Sequence, residues 1–179
     1  MIRTFISIPV PDRHSLDPII RDITVRDNIR PSPGNQLHIT LRFVGDIHEN
    51  KADKLIRCVT EACSNHHPID VVLKGAGCFP NAKRPSVIWV GASPDDELTS
   101  LSDSISKALS SAGFDFDDKP FKSHVTVGRC KGPAKVDDIL GKYSDTVFCN
   151  FRCDEVLVMK SVLGPRGATH SVLGRVPLC

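Results

Sequence analysis

The chain has no excess of charge of either sign and no long apolar run. Its 23 basic and 21 acidic residues nearly cancel, which leaves a formal net charge of +2 over 179 residues. This balance argues against a protein that coats nucleic acid through a uniform positive field, so any nucleic-acid partner must be held locally. No apolar run reaches the roughly 18 residues that a membrane-spanning helix needs, and residues 5–9 are too short for a signal peptide. We therefore expect a monomeric, cytoplasmic protein without a membrane partner.

The seven cysteines contain no Cys-x-x-Cys pair, the spacing typical of zinc sites. Their odd number favours reduced thiols over a disulfide framework, as expected of a cytoplasmic protein. We expect no structural metal and no other cofactor.

Length and pattern predict one two-lobed domain over residues 1–179, with an α+β fold. Several predicted strands are joined by short turns, which favours antiparallel-rich sheets over a doubly wound parallel sheet. Predicted loops cover residues 31–35 and 164–167. The predicted strands are residues 2–10, 36–44, 69–73, 86–90, 122–127, 148–160 and 171–176, and the predicted helices are residues 11–27, 49–63, 94–111 and 136–143.

One four-residue pattern, histidine, apolar residue, threonine, apolar residue, occurs twice, at residues 38–41 and 124–127. Alternate side chains of a strand point to opposite faces, so His38 and Thr40 share one face, about 6 to 7 Å apart. His124 and Thr126 do the same in the second copy. The apolar residues can then anchor in a core while the polar pairs face a cleft.

Two imidazoles and two hydroxyls suit metal-independent phosphoryl transfer. With ordinary pKa values near 6.5, one imidazole can accept a proton while the other donates one. The threonine hydroxyls can donate hydrogen bonds to the non-bridging phosphate oxygens. A single histidine in a strand is more often structural, but two copies in the same local pattern favour a catalytic pair.

The motif-bearing segments, residues 37–45 and 123–129, resemble the paired HxTx motifs of the two-histidine (2H) phosphoesterases. They are most similar to those of the RNA 2',3'-cyclic phosphodiesterase branch, long called 2'-5' RNA ligase. The resemblance extends over nearly the whole chain, through residues 3–8, 77–80, 87–91 and 160–163. It implies a bilobal, pseudo-twofold α+β fold, with helices on the outside and one histidine motif from each lobe lining a central cleft.

The resemblance also implies an activity, the opening of a terminal 2',3'-cyclic phosphate on RNA to a 2'-phosphate. The reverse reaction is an ATP-independent ligation that forms a 2',5' linkage. By this likeness His38 is the proton donor and His124 the proton acceptor, while Thr40 and Thr126 bind the phosphate. The implied pseudo-symmetry allows either histidine to be the acid, and reversal of the reaction exchanges acid and base.

Two arginines are candidates for binding the substrate. Arg129 matches a family position that contacts phosphate. It lies five residues after His124, so in a regular strand its side chain would point to the opposite face. A bulge near Gly128 would turn it back to the cleft face. Arg42 lies four residues after His38, an even number, so we expect its side chain on the same cleft face. The family often has an aromatic residue shortly after the closing turn that stacks on a base, whereas this chain has Ala-Thr-His at residues 168–170. His170 is an alternative stacking residue, but we expect it to be a surface histidine.

Two other functions are compatible with the sequence. One is a cyclic phosphodiesterase that acts on a small nucleotide metabolite, and the other is a non-catalytic module that binds a nucleotide or an RNA end. The intact pair of histidines favours an enzyme, because binding alone does not need an acid and a base. RNA ends, either tRNA-like or oligonucleotide 2',3'-cyclic phosphates, are the expected partners.

Overall fold

The computed structural model describes all 179 residues. Short 3-10 turns occur at Gly34–Gln36 and Glu49–Lys51. In chain order the elements are β1 (Ile2–Pro9), α1 (Asp17–Thr24), β2 (Ile29–Pro31), β3 (His38–Ile47), α2 (Ala52–Cys63), β4 (Ile69–Phe79), β5 (Val87–Ser93), α3 (Asp95–Ser111), β6 (His124–Cys130), α4 (Asp137–Lys142), β7 (Val147–Cys153), β8 (Glu155–Gly164) and β9 (Gly167–Pro177).

All strands belong to one sheet, in which every pairing is antiparallel. The strand order is β7-β4-β5-β6-β3-β1-β8-β9, and the short β2 pairs with β6. The order is symmetric about the β6–β3 junction, with four strands on each side, so the two histidine strands are central. The predicted α+β fold with an antiparallel-rich sheet is confirmed.

The symmetric halves of the sheet are not consecutive halves of the chain. β4 follows β3 in sequence but pairs with β5 and β7, whereas β8 and β9 return from the C-terminal part to pair beside β1. One half is formed by the consecutive strands β4 to β7 from the middle of the chain, whereas the other combines β1 and β3 from the N-terminal part with β8 and β9 from the C-terminal part. The chain therefore crosses from one half to the other after β3 and returns after β7.

The helices pack their apolar faces onto the sheet. In α3 the buried residues Leu98, Leu101, Ile105 and Leu109 are fully enclosed and recur at helical spacing. Each such side chain contributes about 1.5 to 3 kcal/mol through removal from water. None of the four helices is both long and apolar enough to span a bilayer.

Several strand ends differ from the predictions, most of all in β4, which continues from residue 73 to Phe79. Three further differences concern the elements themselves. Residues 148–160 form two strands that separate at Asp154, because β7 pairs with β4 while β8 pairs with β1 and β9. No glycine or proline marks this break.

The first helix is shorter than predicted, since residues before Asp17 form a turn held by a 2.9 Å hydrogen bond from the His14 amide to Asp12 Oδ1. Residues 29–31 form a strand, whereas the sequence assigns no element to residues 29 and 30 and places residue 31 in a loop.

Candidate active site

The two histidine motifs meet at the centre of the sheet. Strands β3 and β6 pair with Ile39 opposite Val125, and both of these side chains are fully buried. Because the strands are antiparallel, this register sets the histidine of each motif beside the threonine of the other, on the opposite face. The pairing is limited to this one position, so the strands diverge on either side of it.

The four polar motif residues share one cleft of about 340 Å³. His38, Thr40, His124 and Thr126 are half-buried in its wall, and no residue of a helix from α1 to α4 lines it. The sheet thus separates a helix-covered apolar face from a polar cleft. The structure brings together the four residues that the alternating pattern places on one face.

Both imidazoles are held in the same way. His38 Nδ1 lies 2.7 Å from the carbonyl oxygen of Gln36, and His124 Nδ1 lies 2.7 Å from that of Lys122. A carbonyl oxygen only accepts hydrogen bonds, so Nδ1 must carry the proton in each ring. In the neutral ring Nε2 is then the free basic atom, and in the protonated ring it is the second donor.

Burial shifts the pKa of both histidines downwards. Removal from water lowers the pKa of His38 from 6.5 to about 4, opposed by the hydrogen bond to Gln36 and reinforced by the nearby charges of His170, Arg129 and His124. Burial also lowers the pKa of His124, reinforced by Arg129. The surroundings of the two rings in the free protein therefore favour neutral imidazoles at pH 7.

Aromatic rings support each histidine from the side. The Phe5 ring centroid lies 5.0 Å from that of His38, and the Phe79 centroid lies 5.0 Å from that of His124. Phe5 comes from β1 and Phe79 from β4, on opposite sides of the junction. These contacts restrict the rings sterically while the Nδ1 bonds fix their orientation.

The expectation that His170 is a surface residue is wrong. Its ring lies edge-on to Phe5 at 4.9 Å and to His38 at 5.6 Å, and it lines the cleft. Burial lowers its pKa, and its Nδ1 is buried without a hydrogen-bond partner. The pairing of β9 with β8, which sets His170 opposite Ser161, brings it there.

Arg129 lines the cleft because β6 contains a bulge. Thr126 pairs with Trp89 and Gly128 with Ile88, so Val127 has no partner in β5. One extra residue reverses the alternation that follows it. Arg129 therefore faces the same side as His124, although it is five residues away.

The prediction that Arg42 lies on the cleft face is wrong, for the same reason. Thr40 pairs with Ser7 and Arg42 with Ile6, so Leu41 is the extra residue in β3. The bulge turns Arg42 to the helix-covered face. There its guanidinium donates to the Ser106 hydroxyl and, at 2.8 Å, to the Lys119 carbonyl oxygen, and it lies 3.7 Å from Asp103.

Several further residues line the cleft that the sequence did not single out. Phe43 occupies the position in β3 that Arg129 occupies in β6, five residues after the histidine. This shared spacing from the motif histidine could have identified Phe43 from the sequence once Arg129 was a candidate. Arg30, Arg166 and Ser161 also line the cleft, and they arrive through β2, the β8–β9 turn and β8, whose positions depend on distant pairing.

The side chains offer no cluster of three or more histidine, cysteine or carboxylate groups arranged to hold a metal ion. The cleft wall itself contains three histidines, three arginines and no carboxylate. Its chemistry is therefore that of a site for an anion, flanked by titratable imidazoles.

The fold is α+β with one antiparallel sheet, and the two HxTx strands pair at its centre beneath a basic cleft. These features define a phosphoesterase of the two-histidine kind. Residues 10–165 match the 2'-5' RNA ligase superfamily, and the chain belongs to that family.

Relatives of known name agree with this assignment. The chain is 33% identical over 175 residues to the RNA 2',3'-cyclic phosphodiesterase of Archaeoglobus fulgidus, covering 96% of this chain and 98% of that protein. It is 30% identical to the enzyme of the same name from Methanothermobacter thermautotrophicus, over 75% and 74% of the two chains. The crystal structure of TT0787 from Thermus thermophilus matches with a TM-score of 0.84 at 25% identity, covering 99% of this chain and 98% of that one.

Proposed function

We propose that the protein is an RNA 2',3'-cyclic phosphodiesterase that opens a terminal cyclic phosphate to a 2'-phosphate. The observation that carries the proposal is the pairing of two imidazoles, each with a free Nε2 and a neighbouring threonine hydroxyl, across one basic cleft. Relatives that bear the name of this activity align with nearly the whole chain.

In the proposed reaction His124 Nε2 accepts a proton from water as the water oxygen attacks phosphorus. The bond from phosphorus to the 3' oxygen breaks, and His38 Nε2 donates its proton to that departing oxygen. Thr40 and Thr126 donate hydrogen bonds to the non-bridging oxygens, and Arg129 offsets their charge. The product is a 2'-phosphate monoester with a free 3' hydroxyl, and solvent restores the protons.

Substrate binding supplies the protonation state that the donor needs. The pKa of His38 is about 4 in the free protein, so a neutral ring predominates at pH 7. An anionic phosphate beside Nε2 stabilises the imidazolium and raises this pKa in the complex. The bound substrate thereby increases the fraction of His38 that carries the proton the leaving oxygen requires.

The same groups can join two RNA ends. A terminal 5' hydroxyl in the place of water would give its proton to His124 while His38 protonates the departing 3' oxygen, which forms a 2',5' linkage without ATP. Acid and base exchange roles when that linkage is cleaved back to the cyclic phosphate, and the pseudo-twofold arrangement provides an equivalent group for each role.

Acid, base and anion-binding groups are all side chains of this chain, and on that ground we propose a metal-independent reaction. The proposal also includes a monomeric protein of one two-lobed domain that acts on RNA ends in the cytoplasm. Gel filtration with light scattering tests the oligomeric state.

Incubation with an oligonucleotide ending in a 2',3'-cyclic phosphate, followed by mass and linkage analysis, tests the activity. A 2'-phosphate product supports the proposal. A 3'-phosphate product, or turnover of small cyclic nucleotides alone, would assign the protein to a different activity.

A further inference from the structure

We propose that Arg30 and Arg166 form a second anion subsite, which binds the phosphodiester preceding the terminal nucleotide. This inference rests on the proposed function and names the substrate class as an RNA end of at least two nucleotides. A nucleotide that ends in a 2',3'-cyclic phosphate has one other backbone phosphate, attached at its 5' oxygen. The subsite would recognise that group.

The first reason is an excess of unpaired positive charge. Arg30, Arg129 and Arg166 all line the cleft, whose wall has no carboxylate. Elsewhere four arginines are paired with carboxylates, as at Arg152 with Asp70 and Arg175 with Glu155, and the others are single exposed charges such as Arg57. The cleft differs because it gathers three unpaired arginines in one wall. The three cleft arginines have neither an ion pair nor a side-chain hydrogen bond within the protein.

A cyclic phosphate diester carries one negative charge, which Arg129 beside the histidines can offset. Two guanidinium groups then lack a partner, each with five N–H donors in the planar fork that suits phosphate. A cleft designed for a single phosphate does not need them.

The second reason is the position of Arg30. In the register of β2 with β6, Arg30 lies directly opposite Arg129. Like charges at opposite positions of an antiparallel pair destabilise a sheet. An anion that binds between or beside the two guanidinium groups removes this cost, so the arrangement favours a ligand with more than one negative charge.

The third reason is the contact between Arg30 and the β8–β9 turn. A Cβ atom built on Gly167 would lie 3.1 Å from one terminal guanidinium nitrogen of Arg30 and 3.4 Å from the other. Arg30 therefore reaches from β2 to the backbone beside Arg166, the preceding residue of the turn. Arg30 thus lies between Arg129, its partner in the β2–β6 register, and the turn that carries Arg166, and all three arginines line the cleft.

The test compares two substrates in the intact protein. One is a dinucleotide ending in a 2',3'-cyclic phosphate, and the other is the matching nucleoside 2',3'-cyclic phosphate, which lacks the second phosphate. We expect the wild type to prefer the dinucleotide in kcat/KM. R30Q and R166Q should each reduce this preference about tenfold or more, the scale of a charge-assisted contact.

The matched control is R57Q, which removes an exposed arginine of α2 that has no ion pair and lies outside the cleft. It should leave the preference unchanged. Adding a 5'-phosphate to the nucleoside cyclic phosphate should restore much of the dinucleotide's advantage in the wild type but not in R166Q. The advantage should also weaken as salt rises, with a slope smaller by about 0.7 in each arginine variant.

Two results would overturn the subsite. Equal losses on both substrates would show that these arginines act on the reacting phosphate, and an unchanged kcat/KM on both substrates would show that they bind no phosphate. If the wild type opens neither substrate, the proposed function fails separately. Calorimetric Kd values for a dinucleotide and a nucleoside, each bearing a 2'-phosphate, would then give the same comparison without turnover.

Discussion

The specificity constant kcat/KM should be highest in mildly acidic solution and fall as the pH rises through neutrality. This constant reports the titration of the free enzyme. In the free protein the pKa of His38 is about 4, and burial lowers the pKa of His124 below its ordinary 6.5. The optimum should therefore lie between roughly 4 and 6.5.

The active free enzyme holds one proton on the pair of histidines. Below the lower pKa both rings are protonated and the base is lost, whereas above the higher pKa both are neutral and the acid is lost. If the higher pKa is at most 6.5, the singly protonated fraction at pH 8 is at least about 30-fold below its maximum. The shape of the curve belongs to the pair and is the same whichever ring is the donor.

The assay measures initial rates on a dinucleotide 2',3'-cyclic phosphate from pH 4 to 9 at constant ionic strength. The kcat profile should extend to higher pH than kcat/KM, because the bound phosphate stabilises an imidazolium. H170Q should shift the acidic limb upwards, since the charge of His170 helps to lower the pKa of His38. H48Q, which removes an exposed histidine outside the cleft, should leave both limbs in place. A kcat/KM that stays constant from pH 6 to 8, or peaks at pH 8, would refute the reasoning.

Four further outcomes are expected. Replacing His124 by alanine should cost at least about 10²-fold in kcat with an unchanged circular dichroism spectrum, and full activity of this variant would exclude an acid or base role. Preincubation with EDTA should leave the rate unchanged, whereas a loss reversed by zinc or magnesium would contradict the metal-independent proposal. The free energy of unfolding should fall as the pH drops from about 6.5 to 4, because His38 binds a proton in the unfolded chain but stays neutral in the folded protein. Denaturant titrations of H38A over this pH range should show a fall that is smaller by up to about 3 kcal/mol. Gly77→Ala should destabilise the fold by about 1 to 3 kcal/mol, since its Cβ would lie 2.2 Å from Cζ2 of Trp89, and a melting temperature equal to that of the wild type would show that the ring can move aside.

Local alternation was enough to predict the polar face of the site. His38 and Thr40 stand two residues apart, and the apolar residues between and after them are buried, so period-two patterning applies within each motif. It fails beyond the fourth residue. Regular alternation placed Arg42 in the cleft and Arg129 on the opposite face unless a bulge intervened. In the structure Arg42 faces the helices and Arg129 faces the cleft, because the fourth residue of each motif is an extra, unpaired residue.

A bulge is a property of two strands, so the sequence of one strand indicates it only where a residue such as glycine stands. Gly128 after Val127 allowed a bulge to be considered in β6, whereas Leu41 has ordinary strand residues on both sides. The register against β1 and β5 shows that Leu41 and Val127 lack partners. The same applies to Arg30, whose strand is three residues long and gains its place by pairing with β6. Pairing between distant segments decided the positions that sequence patterns could not.

The two halves of the site are equivalent where the reaction needs equivalent groups and differ where the substrate has a direction. Histidine, threonine and the bulge recur in both strands, which supplies an acid and a base from one design. Five residues after the histidine, however, one strand presents Phe43 to the cleft and the other presents Arg129. At the preceding position Arg42 fills the space beneath α3, whereas a Cβ on Gly128 would lie 2.8 Å from Cδ1 of Ile23. An apolar ring on one side and a guanidinium on the other suit a ligand with a nucleoside at one end and phosphate at the other. We therefore expect this asymmetry to orient an RNA end over the symmetric pair of histidines that we propose as acid and base.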